Sequence, residues 1–388
     1  SLDITFCFDT ELSYDCAYCF KCYKVKYSFN ARDSMESAFL YDCRNVQNCF
    51  MCWNLRNKQY CILNRQYSKE GYFEKLKEYD MHSRSSVKKL KKEFAQTVAE
   101  NAIHRADHTI KISNSTGNFL EECKNCTDCY FLERSENCRH IFRGFQDKDV
   151  IYGVGSIAEK AAFSMMDGYA YGTMCTSRCG NCRYSAYLDY CEECEYCFGC
   201  VGLRKKKYCI LNKQYTKEEY ESMILRIKEK MKRDGEWGRF FPYALAYGGY
   251  NNSVANHYFP LTKDEALQKG IQWEEPTDVA GEGKSGDNLP DRIDDAYDTI
   301  PQEQLICPRT KRRFNIAPQE LAFCRAEGVP LPEEHFDYRT LERFKLLAAS
   351  VPQVGTCFRC QKDITHFYPP EWGYRKIACI ECYQQEVA

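Results

Sequence analysis

Asp189–Tyr215 reads DYCEECEYCFGCVGLRKKKYCILNKQY, and Tyr41–Tyr67, 148 positions earlier, reads YDCRNVQNCFMCWNLRNKQYCILNRQY. Fourteen of the 27 aligned positions are identical, among them Cys43/Cys191, Cys49/Cys197, Cys52/Cys200 and Cys61/Cys209. The match runs on through Lys69-Glu70 and Tyr72 against Lys217-Glu218 and Tyr220. The chain therefore contains a duplication. Around both copies, residues 1–67 and 114–215 share one texture, with cysteines in steps of three and nine. Cys7, Cys16, Cys43, Cys52 and Cys61 lie in one nine-residue phase, as do Cys182, Cys191, Cys200 and Cys209. No helical period of 3.6 fits such steps, whereas a solenoid that sends one small residue inward per coil does. Asn beside Cys, as at Asn125-Cys126, Asn137-Cys138 and Asn181-Cys182, suits the bends, where Asn tolerates left-handed geometry.

The fold expected is mainly β with helical appendages: a duplicated, Cys-lined β-solenoid plus a small C-terminal zinc ribbon of treble-clef-like form. In order, the layout is 1–67 (first Cys-rich block), 68–113 (helical insertion), 114–215 (second block) and 216–272 (capping helix and aromatic fold-back). It continues with 273–303 (acidic flexible linker), 304–350 (degenerate zinc-ribbon-like module) and 351–388 (zinc ribbon). Ser68 is placed to cap a helix carrying Tyr72, Phe73, Leu76 and Tyr79, and Val87, Leu90, Phe94 and Val98 mark a second helix. Thr216 and Glu219 form a capping-box pattern ahead of a stripe of Tyr220, Met223, Ile224, Ile227 and Met231, and Thr262/Glu265 starts another short helix. The helices are expected to cover open sheet edges, which otherwise invite aggregation.

The 388 residues suggest two or three domains, and 44% apolar content supports a core. The net charge of −1 removes a whole-chain argument for a polyanionic partner. No apolar run approaches the length of a membrane span. The chain opens at Ser1 without Met, which reads as a fragment and leaves a removed signal peptide open. The 26 cysteines admit three readings: a disulfide framework, metal ligation, or small buried hydrophobes. Tandem C-x2-C spacing in a long chain argues against the first.

The sharpest local signal is Cys357-Phe-Arg-Cys360 and Cys379-Ile-Glu-Cys382, separated by 18 residues. This spacing is that of a zinc site whose two knuckles supply four thiolates and leave no open position. Upstream, CPRTKRRFNIAPQELAFCRAEGVPLPEEH looks like a zinc-ribbon module that keeps Cys307, Phe314, Glu320, Phe323, Gly328 and Pro332. It has Thr310 in place of the second Cys, and only His335 near the last knuckle. A metal-free relic is expected there, with the second zinc at Cys307 and His335 left open and Cys324 not a ligand.

Taken whole, the chain resembles a group of Cys-rich repeat proteins of candidate-phyla (Patescibacteria-type) bacteria with a C-terminal zinc-ribbon module. The carriers are the LRNKQYCILNRQYSKE-type block at 55–70 and 203–218, GEWGRFFP, YFPLTKDEA and the terminal CIECYQQEVA. The resemblance implies a bacterial, cytoplasmic protein and attaches no activity to it.

Three function classes follow. One is a zinc-stabilised repeat scaffold that binds an unknown protein partner, without catalysis. Another is a nucleic-acid-binding zinc-ribbon protein, with Arg359, Lys362, Arg375 and Lys376 near the ribbon and Tyr side chains able to stack bases. The third is an iron-sulfur or multi-metal redox protein, because Cys191, Cys194, Cys197 and Cys200 approach a ferredoxin run without its last spacing or its Pro. The basic run Arg204–Lys207 reads as a solvated bend. Gly153-Val-Gly155 only mimics a dinucleotide fingerprint, and His104/His108 reads as a surface pair without a third ligand. No catalytic residue stands out.

Overall fold

In the computed structural model, which describes residues 1–275, 277–278, 282–347 and 351–387, the backbone bends at almost every third residue of the Cys-rich blocks. Asp15, Tyr18, Lys21, Lys24 and Tyr27 have φ of 53°, 54°, 51°, 52° and 53°. Left-handed geometry costs about 1 kcal/mol or more for a residue with a side chain. Here it recurs as a rule, so parallel ladder bonds and burial offset it along the whole block. The residue after each bend faces inward: Cys16, Cys19, Cys22 and Val25 are all buried.

The structure is mainly β, with parallel sheets and a few helices. One sheet has eight strands between Leu2 and Gln66, and another has ten between Gly117 and Gln214. Strands pair in parallel with the residue twelve positions on, as in Ile4↔Cys16, Leu40↔Cys52, Cys49↔Cys61, Asn118↔Tyr130 and Cys197↔Cys209. The nine-residue cysteine step is thus not the stacking period. It is three of the four three-residue steps that make up a stacking offset of twelve.

The reason lies in hydrogen bonding. An inward residue points its N–H at the side chain of the inward residue twelve positions before it. Val25 N–H donates to Ser13 Oγ (3.3 Å), Leu40 N–H to Ser28 Oγ (2.9 Å), and Cys19 N–H to Cys7 Sγ (3.4 Å). Most inward thiols in turn donate to the carbonyls two residues back and nine residues on. Cys16 reaches Tyr14 O and Val25 O (both 3.3 Å), and Cys191 reaches Asp189 O (3.5 Å) and Cys200 O (3.4 Å). A buried backbone donor must find a partner. Cys and Ser are small enough for the inward position and carry both a donor and an acceptor. No disulfide joins any of the 26 cysteines in this structure.

Two aspartates take the same role. Asp147 accepts from Ala158 N–H (2.8 Å) and Ser156 Oγ (2.9 Å), and Asp167 from Cys179 N–H (2.9 Å) and Ser164 Oγ (2.6 Å). Gly153 belongs to this core, within the strand Lys148–Met165. A Cβ there would lie 2.8 Å from Ser156 Oγ, so the glycine serves packing in a parallel ladder.

The shared YCILN-x-QY segment ends each stack. Strands Arg56–Ile62 and Lys207–Ile210 turn back antiparallel through Leu63-Asn64 (φ 49°, 60°) and Leu211-Asn212 (φ 47°, 65°). Two positive-φ residues in a two-residue loop make the tight hairpin turn that matches strand twist. Asn64 accepts from Trp53 N–H (3.0 Å) and donates to Trp53 O (2.8 Å), and Asn212 does the same with Val201 (2.9 and 2.8 Å). Helices follow: α1 (Lys69–Leu76) capped by Ser68, α2 (Arg84–Asn101), and α3 (Lys217–Arg233) with the Thr216/Glu219 capping box. α2 buries the stripe Val87, Leu90, Phe94 and Val98, whereas Phe73 of α1 stays exposed. Short helices α4 (Val254–Tyr258) and α5 (Lys263–Gln268) follow, and α5 starts at the Thr262/Glu265 pair.

The chain forms two compact units, residues 1–106, 249–265 and 273–388 in one and residues 107–248 and 266–272 in the other. In the first, the flexible linker expected over 273–303 is corrected. Leu289, Ile293 and Ile300 are buried in one core with Val87, Leu90 and Leu321. Asp291 caps the α2 start by accepting from Ser85 N–H (2.8 Å), and Asp298 pairs with Arg325 (2.6 Å). Several of the acidic residues, such as Asp291 and Asp298, are thus engaged with partners, and Leu289, Ile293 and Ile300 between them face inward. Positions 276 and 279–281 of that stretch, 348–350 of the next module and 388 lie outside the described residues. Helices α6 (Pro318–Glu327) and α7 (Phe336–Lys345) belong to the same unit. Arg343 of α7 reaches Asp3 (3.0 Å) and Phe344 packs on Phe6, so α7 closes the first end of the eight-stranded sheet. No helix among the described residues is long and apolar enough to cross a membrane.

Candidate metal centre

Strands Gln353–Thr356 and Asp363–His366 form an antiparallel hairpin that ends in the first knuckle. Cys357 N–H donates to Lys362 O (2.8 Å) and Gln361 N–H to Cys357 O (3.0 Å), with Gln361 at φ 59°. This tight turn brings Cys357 and Cys360 to one side. The second knuckle is helical: Cys379 ends the strand Ile377–Ala378, and Cys382 lies in the first turn of α8 (Ile380–Val387). Tyr383 N–H donates to Cys379 O (2.9 Å) and fixes that turn.

The sulfurs of Cys357, Cys360, Cys379 and Cys382 lie within 4.8 Å of one another, and Cys360 Sγ is 3.8 Å from Cys379 Sγ. Sulfurs at that separation suit a tetrahedral ion with metal–sulfur bonds of about 2.3 Å. Burial pushes the Cys357 thiol up, but N–H groups of Cys360, Cys379 and Arg359 outweigh it and hold the group down at about 6. A thiol that ionises at neutral pH is the form that binds metal. The four cysteines can hold a metal ion and leave it no open position.

The site is built against the first Cys-rich block. His104–Arg105 pairs in parallel with Ile377–Ala378, and His104 N–H donates to Lys376 O (2.8 Å). Tyr374 stacks on the His104 ring at 3.6 Å, and Tyr368 Oη donates to Arg105 O (2.7 Å). Tyr383 donates to the Asp42 carboxylate and accepts from Arg56 (2.6 Å). Asp42 also accepts from Asn30 (3.0 Å) and Asn54 (2.8 Å), its neighbours twelve residues either way. Sequence reasoning missed this junction. The only available signal was the twelve-residue offset, which aligns Asn30, Asp42 and Asn54.

The other candidate ligands do not form a set of three or more, although Cys307 lies beside the His335 backbone. Among the described residues the terminal four cysteines are the only such group of three or more. Cys191, Cys194, Cys197 and Cys200 occupy successive inward positions and spend their thiols on backbone carbonyls. Cys307 accepts from Thr310 N–H (3.5 Å), while His335 caps α7 by accepting from Asp337 N–H (3.1 Å) and sits 3.3 Å from Asp278. Cys324 is buried within α6.

The surface pair read at His104 and His108 is also corrected. α2 ends at Asn101, so the two are not on one helical face, and both are buried. His104 lies 2.7 Å from Tyr41 Oη, with its pKa lowered to about 3 by burial, and His108 stacks on Phe119. The basic run is neutralised one stacking step back: Arg204–Glu192 (3.1 Å), Lys205–Glu193 (3.7 Å) and Lys207–Glu195 (2.8 Å).

No protein-family model and no curated protein matches this chain. Among solved structures, a putative acetyltransferase from Desulfovibrio desulfuricans G20 is 10% identical, with a TM-score of 0.11. The alignment covers 58% of this chain and 63% of that one. The UDP-N-acetylglucosamine O-acyltransferase of Moraxella catarrhalis RH4 is 10% identical with a TM-score of 0.13, over 61% of this chain and 95% of that one. The UDP-N-acetylglucosamine acyltransferase of Campylobacter jejuni is 10% identical with a TM-score of 0.10, over 60% and 90%. Likenesses at these scores carry no argument about fold or function.

Proposed function

We propose that this chain is a zinc-binding, Cys-rich repeat scaffold that holds a surface for a protein partner and performs no catalysis. The observation that carries the reading is the division of the cysteines. Four converge into a closed metal set, and the inward thiols of the repeats are spent on backbone hydrogen bonds. Four thiolates in tetrahedral reach favour zinc, which would be structural because no position is left for a substrate water. The prevailing twelve-residue offset, which shortens to eleven at Ile110↔Glu121 and Ile157↔Gly168, with a bend at almost every third residue, supports two closed β-solenoids of four short faces per coil. The resemblance noted above supports a bacterial cytoplasmic setting. A nucleic-acid role draws less support, because in the basic run Arg204–Lys207 three of the four charges are paired with glutamates. An iron-sulfur role also draws less, because Cys191–Cys200 do not converge.

The test is elemental analysis of protein purified without added metal, with an absorption spectrum and a thiol count in denaturant on the same sample. The expected result is one zinc per chain, no visible absorption, and all 26 thiols titratable once the metal is chelated. Iron, several metals per chain, or absorption in the visible would overturn the reading.

A further inference from the structure

The C-terminal segment is small: Tyr368, Trp372 and Tyr374 pack together at one end, and the rest is built around the cysteines. Its buried cluster is Cys357, Ile364, Ala378, Cys379, Cys382, Tyr383 and Val387 together with Ala106, so three of its eight members are metal-set cysteines. A segment this small is held by its ion, and binding free energy becomes folding free energy. The same segment covers an edge of the first Cys-rich block. Two residue pairs join the strands, Tyr374 stacks on His104, Tyr368 donates to Arg105 O, and Tyr383, immediately after Cys382, reaches Asp42 and Arg56. Beneath it lie Tyr41, Asp42 and His104, all buried.

We propose that the terminal segment is a metal-dependent clasp: the ion in the four-cysteine set keeps it seated, and loss of the ion uncovers the Tyr41–Asp42–His104 edge. This rests on the metal reading above and adds a consequence to it. Without an ion the knuckles hold four crowded thiols, α8 loses its first turn, and Tyr383 no longer stays on Asp42. The first block remains folded, because its ladder bonds and inward thiols do not involve the clasp. The loaded and stripped proteins therefore differ in one exposed surface, built of an aromatic ring, a carboxylate and an imidazole.

The experiment is hydrogen exchange by mass spectrometry on the full chain in three states: zinc-loaded, stripped by a chelator at neutral pH under reducing conditions, and reloaded. Metal content is measured in each state. The reporters are the amides of His104 and Ala106, which donate to Lys376 O (2.8 Å) and Ala378 O (2.9 Å). Residues 44–53, inside the ladder, serve as the control. Stripping should speed exchange at the reporters by about tenfold or more, as for a segment that opens locally, leave the control unchanged, and reverse on reloading. Tyr383→Phe should still take up zinc and yet show partial loss of reporter protection in the loaded state. Zinc uptake with reporter protection the same in loaded and stripped protein would overturn the clasp and leave the metal reading standing. Protection without any zinc uptake would overturn both. Loss of protection in reporters and control together would show global unfolding and also overturn the clasp.

Discussion

Ser28→Ala is the most direct test of why the blocks are rich in cysteine. Ser28 faces inward, accepts from Leu40 N–H at 2.9 Å and donates to Lys26 O at 2.8 Å. Leu40 is fully buried, so no water replaces the lost acceptor. A buried donor left unsatisfied costs about 1–3 kcal/mol, and the shape change from Ser to Ala adds little. Ser28→Cys restores a donor and an acceptor of the kind used at Cys16, Cys19 and Cys22. Its extra volume should cost about 1 kcal/mol or less in a position built for small side chains. Urea unfolding followed by circular dichroism, with reductant and saturating zinc, reads the difference. With an m-value of about 2 kcal/mol/M, a loss of about 2 kcal/mol lowers the midpoint by about 1 M. Ser28→Cys should stay within about 0.5 M of the parent. If Ser28→Ala is as stable as Ser28→Cys, the thiols are not there to satisfy the backbone, and the account of the inward positions fails.

Burial pushes Asp147 up to about 7, against the pull of Ser156 and the Ala158 N–H. An acid whose folded pKa exceeds its unfolded value of about 3.9 adds stability below that value and loses it as pH rises through about 7. The parent should therefore weaken between pH 5 and 8, and Asp147→Asn should flatten that slope in urea midpoints. Asp167, raised for the same first cause, will leave some slope behind. Asn212→Val, at φ 65° and with two bonds to Val201, should cost about 2–3 kcal/mol, while Asn212→Gly should cost clearly less, read from melting curves. In native metal-loaded protein, a thiol reagent should react fast only with Cys7, because the other cysteines are buried or, at Cys360, held by the metal. Peptide mapping of the labelled sites checks this.

Several parts of the structure were legible because they are local. The capping box at Thr216/Glu219 and the helix stripe from Val87 to Val98 depend on neighbours within one or two turns. The two C-x2-C knuckles were legible because each is a self-contained turn. The duplication was visible, but its meaning was not. YCILN-x-QY proved to be the segment that ends a stack, a role that exists only once strands lie beside one another. The cysteine steps of three and nine do not by themselves reveal the stacking offset. The period is twelve, and the nine reflects where a thiol reaches a carbonyl across the stack. The acidic stretch 282–303 misled because its charges outnumber its buried anchors, and only packing shows where Leu289, Ile293 and Ile300 point.

Sequence alone settled the residue chemistry: two similar Cys-rich blocks, small inward residues, capped helices, and four cysteines near the C-terminus at a metal-ligand spacing. These follow from short-range spacing, which a linear reading can count. Tertiary structure decided which cysteines meet and which do not, and what the terminal segment rests on. The docking of Tyr383 on Asp42 joins residues 341 positions apart in the chain. No periodicity links them, because that contact is set by shape and by the partners left unsatisfied when strands stack.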